Sequence, residues 1–358
     1  ASMPRCRPAA FFACLLWLCA APALRAAVDV TGYAALEIPE SSRAFISGQV
    51  TGLARNQDGL LFVGSSRLAV FDGLNWQRIL VPNNVGIVAL HPVGRDRVWV
   101  GGEGIIGWIA RTDTGEWVFH SLEKELRAAG FDDPVNFIFY TAAASGEGAT
   151  FVARTKIMRW DGQRFTLWDL PVSHTRIYGF MAGNELMIYQ PGTGLVRMER
   201  DGPRLWLPLA TLPSSQAVVG YIPQPDGGEL FIFNEEVYRR HSDRWTRLDP
   251  VSNELRGRRA LQVVPAGRDT FAIATGYGGV VLTSTAGELR GLVTTQSGLP
   301  DDHVNTLAID PDRQIWIGTI SGGVVRVAGP GAATVLDRRM RLTPRPLDRK
   351  STRLNSSH

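Results

Sequence analysis

The sequence predicts an all-β protein, a seven-bladed β-propeller of four-stranded antiparallel blades preceded by a signal peptide. Three observations predict it. A β-rich segment recurs seven times, polar or glycine-bearing turns separate its strands at hairpin spacing, and helical periodicity is almost absent from the roughly 310 residues between the chain ends. The segment reads Leu61-Phe62-Val63-Gly64, Val98-Trp99-Val100-Gly101, Thr150-Phe151-Val152-Ala153, Leu186-Met187-Ile188-Tyr189, Leu230-Phe231-Ile232-Phe233, Thr270-Phe271-Ala272-Ile273-Ala274 and Ile315-Trp316-Ile317-Gly318. Aligned on Val63, Val100, Val152, Ile188, Ile232, Ile273 and Ile317, the steps are 37, 52, 36, 44, 41 and 44 residues. Four short strands in about 42 residues cannot bury both faces of their sheet alone, and radial packing of such sheets solves that problem. Residues 27–338 are assigned to the propeller.

The N-terminus comes first. Met3 is followed by Arg5 and Arg7, an apolar run over 9–21, and small residues around Ala23 and Ala26. This is the pattern of a secretory signal peptide over residues 3–26. The run is too short for a membrane span, which needs about 20 apolar residues. Cys6, Cys14 and Cys19 all lie inside it, so the exported part would hold no thiol, no disulfide and no thiolate metal site. Ala1 and Ser2 precede this start.

The internal order of a repeat is clearest in the seventh. A leading loop, Gly298-Leu299-Pro300-Asp301-Asp302-His303, precedes a strand over 304–309; a polar turn over 310–314 leads to a second strand over 315–319. Ser321-Gly322-Gly323 then turns the chain into a third strand over 324–327. In the first repeat Gln57-Asp58-Gly59 is the polar turn, and Asp72-Gly73-Leu74-Asn75 is a second, after which Trp76 opens a fourth strand. Phe165 and Trp245 recur at that place. Asp-Gly serves these turns mechanically, by supplying positive φ. The long step of 52 contains 121–130, a short helix ended by Gly130 and inserted between blades 2 and 3.

At the C-terminus, residues 339–347 read as the start of a linker, and 348–358 resemble the translation of a sequencing adapter. On that reading the natural chain continues past about residue 347. The formal charge of +4 is also a property of the ends. Leaving out Arg5, Arg7 and Arg25 before residue 27, and the net two positive charges after residue 347, gives −1. A nucleic-acid partner has no support in that balance.

Gly298-Leu299-Pro300, Val304-Asn305-Thr306-Leu307, Asp310 and Ile315-Trp316-Ile317-Gly318-Thr319 resemble the two-component-regulator propeller repeat. Phe71-Asp72-Gly73-Leu74-Asn75-Trp76 and 98–108 resemble the opening repeats of bacterial sensors that join such propellers to a triple-tyrosine domain. The likeness is strong in repeats 1, 2 and 7 and weak in 3 to 6. Arg313 and Gln314 depart from it, standing where the family usually has Asp-Gly. The resemblance implies a periplasmic sensor of a Gram-negative bacterium, whose partners are a small-molecule or saccharide ligand and the downstream signalling domains of the same intact chain. In such proteins a β-sandwich, a membrane helix and a cytoplasmic kinase, cyclase or DNA-binding domain follow. The membrane would be met only through that segment, and a homodimer of the full-length protein is compatible with it.

Chemistry is sparse. The six histidines show no metal-ligand spacing, and no cofactor or metal is expected. Asp310 and Asp312 lack the glycine and the distal Glu of a calcium loop and read as a hairpin turn. The Gly-x-Gly strings at 101–104 and 192–194 precede no helix, so they read as turns and not as phosphate cradles. No nucleophile motif occurs, and catalysis is not expected. Glu235-Glu236 and Asp132-Asp133 keep a polysaccharide-active enzyme open as an alternative, and an interaction scaffold is a third. Trp99 and Trp316 are expected between blades, Trp76 and Trp245 on blade edges. The ligand candidates are the turns between second and third strands, which a propeller gathers with the leading loops on one axial face. They are Arg67, Glu103, Lys156, Gln190, Glu235, Tyr277 and Ser321, with Asn84 and His303 from leading loops.

Overall fold

The structure, a computed structural model, describes residues 34–37, 45–46, 48–82, 86–134, 137–171, 177–310 and 313–328. The signal-peptide and adapter-like segments, the three cysteines, Asn84, His174 and Asp312 lie outside the described residues. Among these, 28 strands form seven four-stranded antiparallel sheets, the predicted seven-bladed propeller. In blades 1 to 6 the strands follow chain order from the axis outward, as in blade 1 with Gly52–Arg55, Leu61–Gly64, Leu68–Phe71 and Trp76–Ile79. The seven aligned aliphatic residues all fall in second strands and are at most 1% exposed, so the repeat marks one structural position.

Blade 7 is built differently. Val304–Ile309, Ile315–Thr319 and Val324–Ala328 supply three strands, and its outer strand is Ala34–Glu37, from the other end of the chain. The pairing runs from Ala34 opposite Ala328 to Glu37 opposite Val325. This closure was not read from the sequence. It covers an open sheet edge and ties the ends of the ring together. It also sets direction: residues 34 and 328 lie side by side at the end of blade 7 that carries the turn between its first and second strands. The chain therefore enters and leaves the ring on the face opposite the turns between second and third strands.

The core lies between blades. Trp99 packs edge-on against Phe151 of the next blade at 6.1 Å, and Trp316 against Phe71 across the closure at 6.3 Å. Both tryptophans are buried, as expected, and so is Trp76; Trp245 is half-buried beneath its blade edge. Polar side chains near the axis stitch inner strands to their neighbours. Asn305 donates to the Val50 carbonyl at 3.0 Å, Thr141 to that of Gly179 at 3.2 Å, and Gln262 pairs with the backbone of Leu307. Each gives a backbone group of the neighbouring blade a side-chain partner.

The inserted helix between blades 2 and 3 is Glu123–Ala128, followed by Gly130 at φ 88°. A second helix, Asp249–Leu255, lies between blades 5 and 6 and was not anticipated. Its Val251, Ser252 and Leu255 are buried, and the Ser252 hydroxyl receives the Val237 amide at 3.0 Å. The spacing Val251 to Leu255 with Pro250 in the first turn was the available signal, and it is only two turns long. In blade 7, Arg313 takes φ 62°, the left-handed conformation that Gly59 adopts in blade 1.

Candidate functional site

Radial packing leaves the axis open. A cavity of about 360 Å³ runs along it, lined by Leu53, His91, Tyr140, Tyr178, Val219, Gln262 and Asn305, one from the inner strand of each blade. The His91 ring is half-buried there, and desolvation pushes its pKa down.

The densest group of predicted residues sits on blades 6 and 7, on the face that carries the turns between second and third strands. Tyr277 meets His303 edge-on at 5.5 Å, and Ile320 donates its amide to the His303 carbonyl at 3.0 Å. Asp301 organises the turn. Its carboxylate accepts from Ser321 N at 2.9 Å, Ser321 Oγ at 2.6 Å and His303 N at 3.0 Å, and lies 2.9 Å from His303 Nδ1. Burial raises the Asp301 pKa, but the hydrogen bonds from Ser321 and His303 outweigh it and hold the pKa at about 2. Thus Tyr277, His303 and Ser321, proposed separately, form one cluster.

Sequence reasoning passed over Arg259, which completes this cluster. Arg259 precedes the inner strand Ala260–Pro265 of blade 6 and holds φ 56°. Its guanidinium hydrogen-bonds the hydroxyls of Tyr178, on blade 4, and Tyr277, which keeps it firmly protonated. Arg258, its neighbour, is committed to Glu254 and the Gly278 carbonyl. The signal available was a pair of arginines directly before an inner strand. Which of the two faces the axis depends on the turn.

The remaining candidates are spread around the same face. Arg67 shapes the blade 1 turn through its carbonyl, which accepts the Ser65 amide at 2.8 Å. Glu103 N donates to Gly86 O at 2.9 Å, and Glu235 N to Gln216 Oε1 at 2.8 Å. Lys156 is paired with Asp169. Gln190 is 3% exposed and packs below the surface, where its amide nitrogen has no hydrogen-bond partner. Glu236 pairs with Arg247 at 3.3 Å, away from Glu235. No group of three His, Cys, Asp or Glu side chains that could hold a metal ion occurs among the described residues. No helix among them is long and apolar enough to cross a membrane. Asp310 is a buried turn residue, receiving Gln314 N at 2.8 Å and Trp316 Nε1 at 3.3 Å.

Residues 298–321 match the two-component-regulator propeller family. No curated protein matches the sequence. Among solved structures, the chain is similar to the extracellular domain of a Bacteroides thetaiotaomicron protein named as a one-component system, at 14% identity and a TM-score of 0.60. That match covers 86% of this chain and 41% of the other, so the chain spans about two-fifths of that domain's length. A virginiamycin B lyase from Staphylococcus aureus is similar at 12% identity and a TM-score of 0.60, covering 83% of this chain and 98% of the lyase. At these identities the likeness is one of fold. The chain is thus a seven-bladed β-propeller that carries a two-component-regulator propeller repeat in its last blade.

Proposed function

We propose that this chain is the sensory, ligand-binding propeller of an exported signal-transduction protein of the two-component or diguanylate-cyclase type, working in the periplasm. The observation that carries the reading is the regulator repeat at 298–321. The axial mouth supports it, because a cavity with convergent polar and aromatic groups is the usual form of a small-ligand site. The path of the chain supports it as well: residues 34 and 328 lie together on the far face, away from the turns between second and third strands. A small molecule or saccharide would transmit a signal by preferring one arrangement of the propeller and its neighbours over another. Enzymatic output would belong to the segments beyond residue 347, and the propeller itself binds. Reading the source gene past codon 347 tests this. A frame that runs into a membrane helix and a kinase, cyclase or DNA-binding domain supports the sensor; a stop codon just after blade 7 sinks it.

A second reading, catalysis at the mouth, is favoured by one observation. His303 is held by Asp301 through Nδ1, an arrangement that orients a general base. Turnover of a polysaccharide by the purified chain, lost in His303→Ala, would move this reading ahead.

A further inference from the structure

We infer that the axial mouth takes a small ligand bearing a carboxylate, with Arg259 as the residue that grips the charged group. The inference rests on the ligand-binding reading above and adds the chemical class of the ligand.

Arg259 is held in place before any ligand arrives. Its left-handed backbone is fixed by the blade 6 turn, where Gly276 N donates to the Arg259 carbonyl and Tyr277 N to that of Arg258, both at 2.9 Å. A non-glycine residue in that conformation is strained and persists only where its surroundings impose it. The guanidinium then reaches from blade 6 past blade 5 to the Tyr178 hydroxyl on blade 4, and Tyr178 is one of the residues that line the axial cavity.

The charge is left uncompensated. Among the described residues Arg259 forms no ion pair, whereas adjacent Arg258 sits on Glu254. Asp301, the carboxylate within the cluster, is taken up by Ser321 and His303. Glu103 and Glu235 on the same rim form no ion pair with it. A second arginine repeats the pattern on blade 3, where Arg154 Nη2 lies 3.5 Å from the hydroxyl of Tyr140, also without an ion pair among the described residues.

A guanidinium presents a planar fork of donors that matches a carboxylate, and neutral phenols beside it hold the fork without cancelling its charge. The tyrosine rings offer flat surface for the ligand body. A cavity of about 360 Å³ has the size for an acid no larger than a sugar acid or short dicarboxylate.

Titration calorimetry on the full chain at low ionic strength tests this with D-glucuronate, glucose and inorganic phosphate. Glucuronate and glucose share ring and hydroxyls but differ in the carboxylate. Glucuronate is expected to bind about tenfold or more tighter than glucose, and in Arg259→Gln the ratio of the two affinities is expected to fall to about one. Arg259 is exposed, so Arg259→Gln should fold; Arg259→Lys, which keeps charge without the fork, provides a check and should retain only part of the advantage. Equal binding of glucuronate and glucose overturns the proposal, as do phosphate binding tighter than glucuronate, an unaffected Arg259→Gln, or no heat from any probe. Tyr277→Ala separates the two levels of the argument. If glucose and glucuronate bind equally and both are lost in Tyr277→Ala, the mouth stands and the carboxylate falls; if binding survives both substitutions, the mouth falls too.

Discussion

Replacing Asp310 by alanine should cost this propeller more stability than any other single turn substitution in blade 7. The carboxylate is 5% exposed and accepts from the Gln314 amide and the Trp316 indole. It also lies 3.6 Å from Arg55 Nη1, whose side chain is 15% exposed and belongs to blade 1. One side chain thus holds a turn, orients the inter-blade tryptophan and bridges the closure of the ring. Arg55 additionally stacks over Trp316 at 5.2 Å, so the alanine variant leaves a largely buried guanidinium against an aromatic ring with the Gly59 carbonyl still accepting but its carboxylate gone. Breaking a buried pair from one side costs about 3–5 kcal/mol. For a domain of about 300 residues, with an unfolding entropy of roughly 0.6 kcal/mol per kelvin, that lowers Tm by about 5–8 °C. Asp310→Asn keeps one acceptor oxygen, enough for the Gln314 amide, but sets an NH2 against the Trp316 indole and Arg55, so it should fall between wild type and alanine. Thermal unfolding by circular dichroism at pH 7, with urea midpoints in parallel, reads the order. An alanine variant within about 1 °C of wild type would refute the reasoning, because the carboxylate would then not be carrying the blade 7 to blade 1 contact.

Three other expectations concern different parts of the ring. Deleting residues 34–37 uncovers the edge of the strand Val324–Ala328; the variant should unfold several degrees earlier and self-associate, and light scattering showing a monomer of unchanged Tm would count against closure by that strand. Asp301, at about pKa 2, is more acidic than in an unfolded chain, so its contribution is present above about pH 4 and is lost as pH falls toward 2. After allowance for solvent, Asp301→Asn should cost about 1 kcal/mol at pH 7 and progressively less in urea titrations at pH 4 and 3; a cost that does not shrink with acid would contradict the linkage. Gly148→Ala would drive a Cβ into the Trp160 carbonyl oxygen, which backbone pairing holds in place, and should cost about 2 kcal/mol or more; a neutral outcome in a urea titration would show that the blade 3 hairpin yields.

The sequence by itself determined the number of blades, their order and the place of most strands. Those features are local: each hairpin writes its own alternation and turn chemistry within about 42 residues, and Val63 through Ile317 mark the same buried position each time. Tyr277, His303 and Ser321 could be assigned to one face for the same reason, since hairpin order alone fixes which turns share a side. Only the tertiary structure decided what meets across the ring. That Ala34–Glu37 completes blade 7 depends on the ring closing after seven units, which brings residues nearly 300 apart into register. That Arg259 spans blade 5 to Tyr178, and that Arg258 turns instead to Glu254, depends on the left-handed backbone imposed by a neighbouring turn. Such contacts follow from the angle between packed sheets and leave no periodic trace in the sequence, whereas hydrogen-bonded hairpins do.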